Sequence, residues 1–553
     1  MDLVIVDTAQ IQPYIFSSNR LRENIGASHL VASATGAWAL EAVRTLVPQS
    51  NVTGELTLDD SGRIDEAGGG LDAEVLYSGG GNVVALFRHN THAKAFTRQL
   101  SRRVLEHAPG LQVVIAQQEF EWGHSLSEAI QATLAKVAKG KRARVLSSPL
   151  LGLGVTVMCR STALPAVAVT PMIGGDPGSA YPASAESLAK LAVAWGRDGQ
   201  RSEADKRLHR LIPPPEGFDY PSNFDDLGRT FGEQSHLAVV HADGDEMGKR
   251  IQQIGEQYLN PGQNRNYIIA LRGFSSAVEQ AAKAALRTVV TQVMTRIDAH
   301  KGQMVYHNAA GKELARIKLK PEDGRWLLPF RPIVFGGDDV TFVADGRLGL
   351  SLALEYLKQF EQETANRPAC RGRITASAGI AMVKVHYPFA RAYALAEELG
   401  KSAKAYRRKL KKDDSCLDWH FALSGLSGGI EEIRRREFTS ASGSLTLRPV
   451  TLGPNPSQPA HSWDVVRSGI GAFQGQEWAG RHNKVKALRD ALREGPVWVQ
   501  RFRRKFNEGK ELRSVEPSMT NWPKEGWHGK YCGYFDALEV SDWFVPLSGG
   551  PIP

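Results

Sequence analysis

Cysteine is scarce: Cys159, Cys370, Cys416 and Cys532 are the only four in 553 residues, and no two form a CxxC pair. That excludes a disulfide scaffold and a zinc ribbon built on cysteines. No apolar run approaches the ~20 residues needed to span a bilayer, so no membrane partner is expected. The opening "MDLVIVDTAQIQ" has neither a basic leader stretch nor a cleavage pattern. It reads as a first strand, and a cytoplasmic location is expected. No His-Asp dipeptide occurs anywhere. Charge of one sign is only mildly in excess: the net +9 permits a nucleic-acid or polyphosphate partner without requiring one.

What is present is an ordinary globular composition, 42% hydrophobic and 23% charged, in a chain too long for one core. The first half reads as strand, helix, hairpin, helix, strand. "DLVIVDT" (2–8) is a strand and 26–47 is helical, with apolar residues at near-helical spacing. "AEVLYSGGGNVVALF" (73–87) is a glycine-turned hairpin, 91–108 a second amphipathic helix and 111–120 a closing strand. This βαββαβ order is the ferredoxin-like arrangement. It recurs: strand and turn "HLAVVHADGDEMG" (236–248), a long helix (265–300), the hairpin "PIVFGGDDVTFVA", a helix (348–363), a strand (374–385) and a basic helix (390–412). "SGGGNVVALF" aligns with "FGGDDVTFVA", so the chain is an internal duplication in which Gly81 and Asn82 take the places of Asp338 and Asp339.

The fold class expected is α+β: two ferredoxin-like domains, 1–158 and 233–412, joined by a loop-rich linker (159–232). A mainly α-helical C-terminal region (413–553) follows, ending in an unstructured "PLSGGPIP".

Two adjacent carboxylates at the tip of an apolar hairpin call for a reason. A tight turn tolerates Gly and Asp, but nucleotidyl transfer also needs hard oxygen ligands for a divalent cation that bridges phosphates. Asp243 at the end of one strand, with Asp338 and Asp339 in the adjacent turn, supplies them for magnesium or manganese. Gly336 and Gly337 leave the backbone bare for a phosphate to approach. "DGDEMG" is not a calcium loop: Met247 and Ile254 stand where the fifth and twelfth ligands belong.

These residues resemble the palm domain of polymerases, class III nucleotide cyclases and GGDEF diguanylate cyclases. Five motifs in order resemble the large subunit of type III CRISPR effector complexes: "IQPYIFSSNRLRENIGASHLV" (11–31), "YSGGGNVV", "HADGDEMGK", "FGGDDVTF" and "SAGIAMVKVHYP" (377–388). The likeness covers about residues 1 to 412. It implies a non-catalytic first palm and a catalytic second palm that joins ATP through 3′–5′ linkages into cyclic oligoadenylates for antiviral defence. It implies Asp243, Asp338 and Asp339 as metal ligands and catalytic carboxylates. Ser28 and the turn Gly79, Gly80, Gly81 and Asn82 would hold a second ATP, and Lys404, by likeness to diguanylate cyclases, would reach the triphosphate. Partners implied are effector subunits, CRISPR RNA and target RNA.

Two departures follow. Without a His-Asp pair no HD nuclease is expected, and "CRSTALPAV" (159–167) looks like the relic of a zinc ribbon, so no zinc is expected. Lys401 reads as a solvated residue, His241 as a packed strand residue and "RFRRKF" (501–506) as a basic helix end more than an RNA contact. Two alternatives stay open: a related nucleotidyltransferase making a cyclic dinucleotide or an adenylylated small molecule, and a scaffold subunit whose palm is incidental.

Overall fold

The computed structural model describes residues 1–65, 70–143, 154–171, 179–196, 200–228, 235–308, 311–410, 413–422, 428–475, 477–478 and 480–547. Strand β1 (Asp2–Ala9) is buried on both faces, which is why it reads as the unbroken run "LVIV". It pairs antiparallel with β3 (Asn82–Phe87) and β4 (Gln112–Glu119), and β2 (Ala73–Gly79) pairs antiparallel with β3. The sheet order β2-β3-β1-β4 is the ferredoxin-like one. Helices α1 (Leu21–Thr35) and α2 (Ala37–Leu46) connect β1 to β2, α3 (Asn90–His107) connects β3 to β4, and α4 (Leu126–Ala143) packs back over β4 and β1. The single helix expected over 26–47 is two. The chain breaks at Gly36, where a Cβ would stand 2.6 Å from the Ala32 carbonyl oxygen.

The second domain repeats the plan. Strand β5 (His236–Gly244) lies between β7 (Asp339–Asp345) and β8 (Ala376–Lys384), with β6 (Phe330–Gly336) outside β7, all antiparallel. Helices α5 (Met247–Glu256) and α6 (Asn264–Met294) follow β5, α7 (Gly349–Ala365) follows β7 and α8 (Phe389–Arg407) follows β8. The long helix expected to 300 ends at Met294.

The second sheet continues past the boundary expected after 412. Strand β9 (Cys416–Ala422) pairs parallel with β8, and β10 (Val450–Thr451) pairs with β9, so the second sheet has six strands. The helix α8 is the crossover between the parallel strands β8 and β9, which places β9 inside the domain. Beyond it, helices such as Ile430–Glu437, Trp463–Gln474, His482–Glu494 and Pro496–Phe506 surround a small sheet of two-residue strands, a mainly helical region as expected.

The two domains share their cores. Leu3 and Ile5, on one face of β1, belong to the same apolar cluster as Val240 and Ala242, and Val4 and Val6, on the other, join Leu237 and Val239. The linker docks on α1: buried Glu23 accepts hydrogen bonds from Ser161 Oγ (2.7 Å), Tyr181 Oη (2.5 Å) and Ser187 Oγ (3.1 Å). Cys159 Sγ lies 3.5 Å from Ser187 Oγ. Of the expected linker 159–232, residues 172–178, 197–199 and 229–232 lie outside the described residues, as does the tail from 548. Among the described residues no helix is long and apolar enough to cross a membrane.

Candidate active site

The hairpin β6–β7 closes with Gly336 opposite Asp339, leaving Gly337 and Asp338 as a two-residue turn. Gly337 has φ +70°, a conformation that favours glycine. Asp339 opens β7 directly opposite Asp243 at the end of β5. The next residue, Gly244, lets the turn lie against β5. Its N–H donates to the Asp338 carbonyl at 3.2 Å, and a Cβ there would stand 2.8 Å from the Asp338 Cβ. So two register partners and one close approach bring Asp243, Asp338 and Asp339 together.

Their crowding has an electrostatic consequence. Asp338 is half-buried, and its carboxyl is pushed up to about 7, chiefly by withdrawal from water and then by the charges of Asp243 and Asp339, against the pull of Lys404. Asp339 Oδ1 is buried without a hydrogen-bond partner; His241 Nδ1 stands 3.3 Å from it and 3.2 Å from Thr341 Oγ1. Burial pulls the His241 pKa down, but Asp339, Asp243 and Glu397 together leave it raised. His241 is packed in its strand and also stands beside the Asp339 carboxylate beneath the turn.

Lys404 Nζ lies 2.5 Å from Asp243 Oδ2 and 3.0 Å from the Gly244 carbonyl oxygen. It gets there because α8 packs on the sheet at backbone distance: a Cβ on Gly379 would stand 2.0 Å from the Ala396 carbonyl oxygen. Lys404, Arg407 and Arg408 line a cavity of about 270 Å³ with Asp243 and Asp338. Sequence reading missed Asp245. It is buried, accepts from Thr375 Oγ1 and Ser377 Oγ at 2.9 Å each, and holds Arg407 Nε at 3.3 Å, which aims the guanidinium at the cavity. Burial raises its carboxyl, with Arg407 opposing. The second acid of "DGDEMG" was the available signal.

The donor set fits a hard divalent cation. Repelling carboxylates, one with an unsatisfied oxygen, are what such an ion relieves. Among the described residues no three His, Cys, Asp or Glu side chains already form a metal cage, and Lys404 engages Asp243. Magnesium asks for less, one or two protein carboxylates completed by phosphates and water.

The first domain carries the bare counterpart. Gly79 pairs with Asn82 around Gly80 and Gly81, with φ +145°, +59° and +87° at the three glycines. Thr8 donates its N–H and its Oγ1 to the Gly81 carbonyl, each at 3.0 Å. The two tips face each other: a Cβ on Gly337 would lie 3.9 Å from the Gly80 Cα. Beside this contact opens a cleft cavity of about 380 Å³, reached by Asp7, Tyr77, Asn82, Phe274, Gly337 and Asp338.

Ser28 lies elsewhere. Its hydroxyl donates to the Ile333 carbonyl at 2.5 Å, at an irregularity of β6 between Pro332 and Val334, and so straps α1 to the second domain. Lys401 is exposed and pairs with Glu397 at 2.7 Å. In "RFRRKF", Phe502 is buried and stacks near Trp478, while Arg501 and Lys505 cover Trp498 and Phe506 of their own helix.

Residues 236–413 match the Cas10/Cmr2 second palm domain. That segment resembles a Cas10/Cmr2 palm. The whole chain resembles a chain of the Csm1–Csm4 cassette crystallised with cA4, at 13% identity and TM-score 0.51, covering 98% of this chain and 69% of that one. The cassette crystallised with pppApApA matches with the same identity and coverage and a TM-score of 0.50. At that identity the likeness is one of fold. No curated protein matches the sequence. The match begins at His236, with β5, and the β1–β4 domain, its partner in the duplication, is hereafter the first palm.

Proposed function

We propose that the chain is a metal-dependent nucleotidyltransferase that joins ATP into cyclic oligoadenylates within a type III CRISPR effector. One observation carries the reading: two palms meet tip to tip, and only one tip bears carboxylates. Such asymmetry suits two bound nucleotides with different tasks. The first palm, around Gly79 to Asn82, holds the ATP whose 3′ hydroxyl attacks; the second holds the ATP whose α-phosphate is attacked. Each linkage joins a 3′ oxygen to an α-phosphorus and releases pyrophosphate.

Asp243, Asp338 and Asp339 would hold the divalent cation. When bound, that ion supplies charge neutralisation at the phosphates and sharpens the hydroxyl as a nucleophile. The chain's own residues do the positioning. Lys404, Arg407 and Arg408 face the polyphosphate, and Lys404 exchanges Asp243 for phosphate oxygen as the nucleotide enters. Gly336 and Gly337 present no side chain to it. The likeness to Csm1–Csm4 structures with cyclic and linear adenylates supports adenine nucleotides as substrate and a second effector subunit as partner. CRISPR RNA and target RNA, in the cytoplasm, complete the proposed assembly.

The test is direct. The pure chain, alone and with RNA and partner subunits, is incubated with each labelled NTP and magnesium or manganese, and products are identified by mass. Cyclic products from ATP are expected. Absence of any nucleotide product under all conditions would leave a scaffold, and a dinucleotide or an adenylylated small molecule would replace the proposed chemistry.

A further inference from the structure

The two palms correspond beyond their glycine turns. Asp7 stands opposite Asn82 across β1 and β3, as Asp243 stands opposite Asp339 across β5 and β7. Lys141 Nζ lies 2.5 Å from Asp7 Oδ2, and Lys404 Nζ lies 2.5 Å from Asp243 Oδ2. Each lysine comes 15 residues after the first residue of its helix, Leu126 for α4 and Phe389 for α8. The first palm has therefore lost the two turn carboxylates and kept the strand carboxylate with its lysine.

A lone carboxylate already paired with an ammonium group is a poor seat for a metal and a polyphosphate. Asp7 nevertheless faces the cleft: it lines the same cavity as Asp338, and among the described residues no Lys, Arg or His lines it. A wall without cations suits the nucleoside end of a nucleotide, whose triphosphate would point out of this cavity. Helix α6 supplies Leu271, Phe274 and Val278, an apolar surface for a base, while the two turns bring Asp7, Asn82 and Asp338 to the other end. A carboxylate oxygen accepts a hydrogen bond, so what Asp7 reads at that end is a hydroxyl. Tyr77 beside them is pushed up to about 12, by burial first and then by the charge of Asp7, so its hydroxyl stays protonated.

We infer that Asp7 binds the ribose of the attacking nucleotide, accepting a hydrogen bond from a ribose hydroxyl, with Lys141 as the positioning residue that keeps the carboxylate aimed. No bond is made or broken at Asp7. The inference rests on the nucleotidyl-transfer reading and names the acceptor site of that reaction.

Calorimetry on the full chain with a non-hydrolysable ATP analogue and its 2′-deoxy and 3′-deoxy forms tests it. The wild type is expected to bind two nucleotides, one site discriminating against a deoxy form. Asp7→Ala should weaken that site about ten- to a hundredfold, as for loss of a hydrogen bond to a charged group, and erase the discrimination. Lys141→Met should move both in the same direction and Lys141→Arg restore them, with an unchanged melting temperature. If Asp7→Ala fails to fold, the Lys141 pair decides alone. One site or none in the wild type overturns the two-nucleotide reading itself. Two sites with ribose discrimination intact in both variants overturn only the role of Asp7. Loss of preference for ATP over GTP with ribose discrimination kept would place the base there, and overturns it as well.

Discussion

Replacing Asp338 by Asn removes one negative charge from a turn that holds too many. The Asp338 carboxyl is raised from an ordinary 3.8 to about 7 because it is withdrawn from water beside Asp243 and Asp339. A carboxyl raised in the folded state binds its proton more tightly there than in the unfolded chain. Its ionisation therefore costs stability: nothing below the unfolded value, progressively more up to about 7, and the full amount above it. For a half-buried group screened by solvent we take that cost as about 1–3 kcal/mol. Metal-free Asp338→Asn should then melt level with the wild type near pH 4.5 and a few degrees above it at pH 8. Metal binding should show the complementary dependence. With a midpoint of about 7, roughly a tenth of Asp338 is ionised at pH 6 and nine-tenths at pH 8, so apparent manganese affinity should rise about tenfold between them. In Asp338→Asn the affinity should be weaker and the slope flatter. Thermal melts in chelator across pH 4.5–8.5, with manganese titrations followed by electron paramagnetic resonance, measure both. A melting difference that ignores pH, together with equal manganese affinity in the two proteins, would refute the account: the turn would then be only a turn.

Three further outcomes follow from the packing. Gly244→Ala puts a Cβ 2.8 Å from that of Asp338; turnover should fall at least about tenfold with little loss of melting temperature, whereas Gly123→Ala, with nothing within 4 Å, should leave both nearly unchanged. Gly379→Ala drives a Cβ to 2.0 Å from the Ala396 carbonyl oxygen. It should cost about 4 kcal/mol or more, read by denaturant titration, because the obstacle is backbone. Ser28→Ala leaves the Ile333 carbonyl without its 2.5 Å donor in a buried place and should cost about 1–3 kcal/mol. Unchanged nucleotide affinity in this variant would make Ser28 a strap between the palms, and a large loss of affinity with normal stability would return it to the nucleotide site.

The sequence alone determined the duplicated βαββαβ plan and the place of the carboxylates within it. These are local matters: strands and hairpins announce themselves by apolar runs and by glycines at turns, and a two-residue turn sets which residues stand opposite each other. Gly336 opposite Asp339 and Gly79 opposite Asn82 follow from those rules, and so does the equivalence of Gly81 and Asn82 with the two aspartates. Only the tertiary structure decided what those residues meet. Lys404 reaches Asp243 from 161 residues away because the helix–strand contact at Gly379 shrinks to glycine distance. Ser28 meets a carbonyl 305 residues away because a strand irregularity leaves that carbonyl unpaired. Strand β9 joins the second sheet instead of the helical region because the open edge of β8 has a ladder to complete. Asp7, the counterpart of Asp243, carries no local signature, since a single acid in a strand looks the same whether it faces solvent or a cleft. Periodicity records which face a residue is on, and only the packed chain records what lies across from that face.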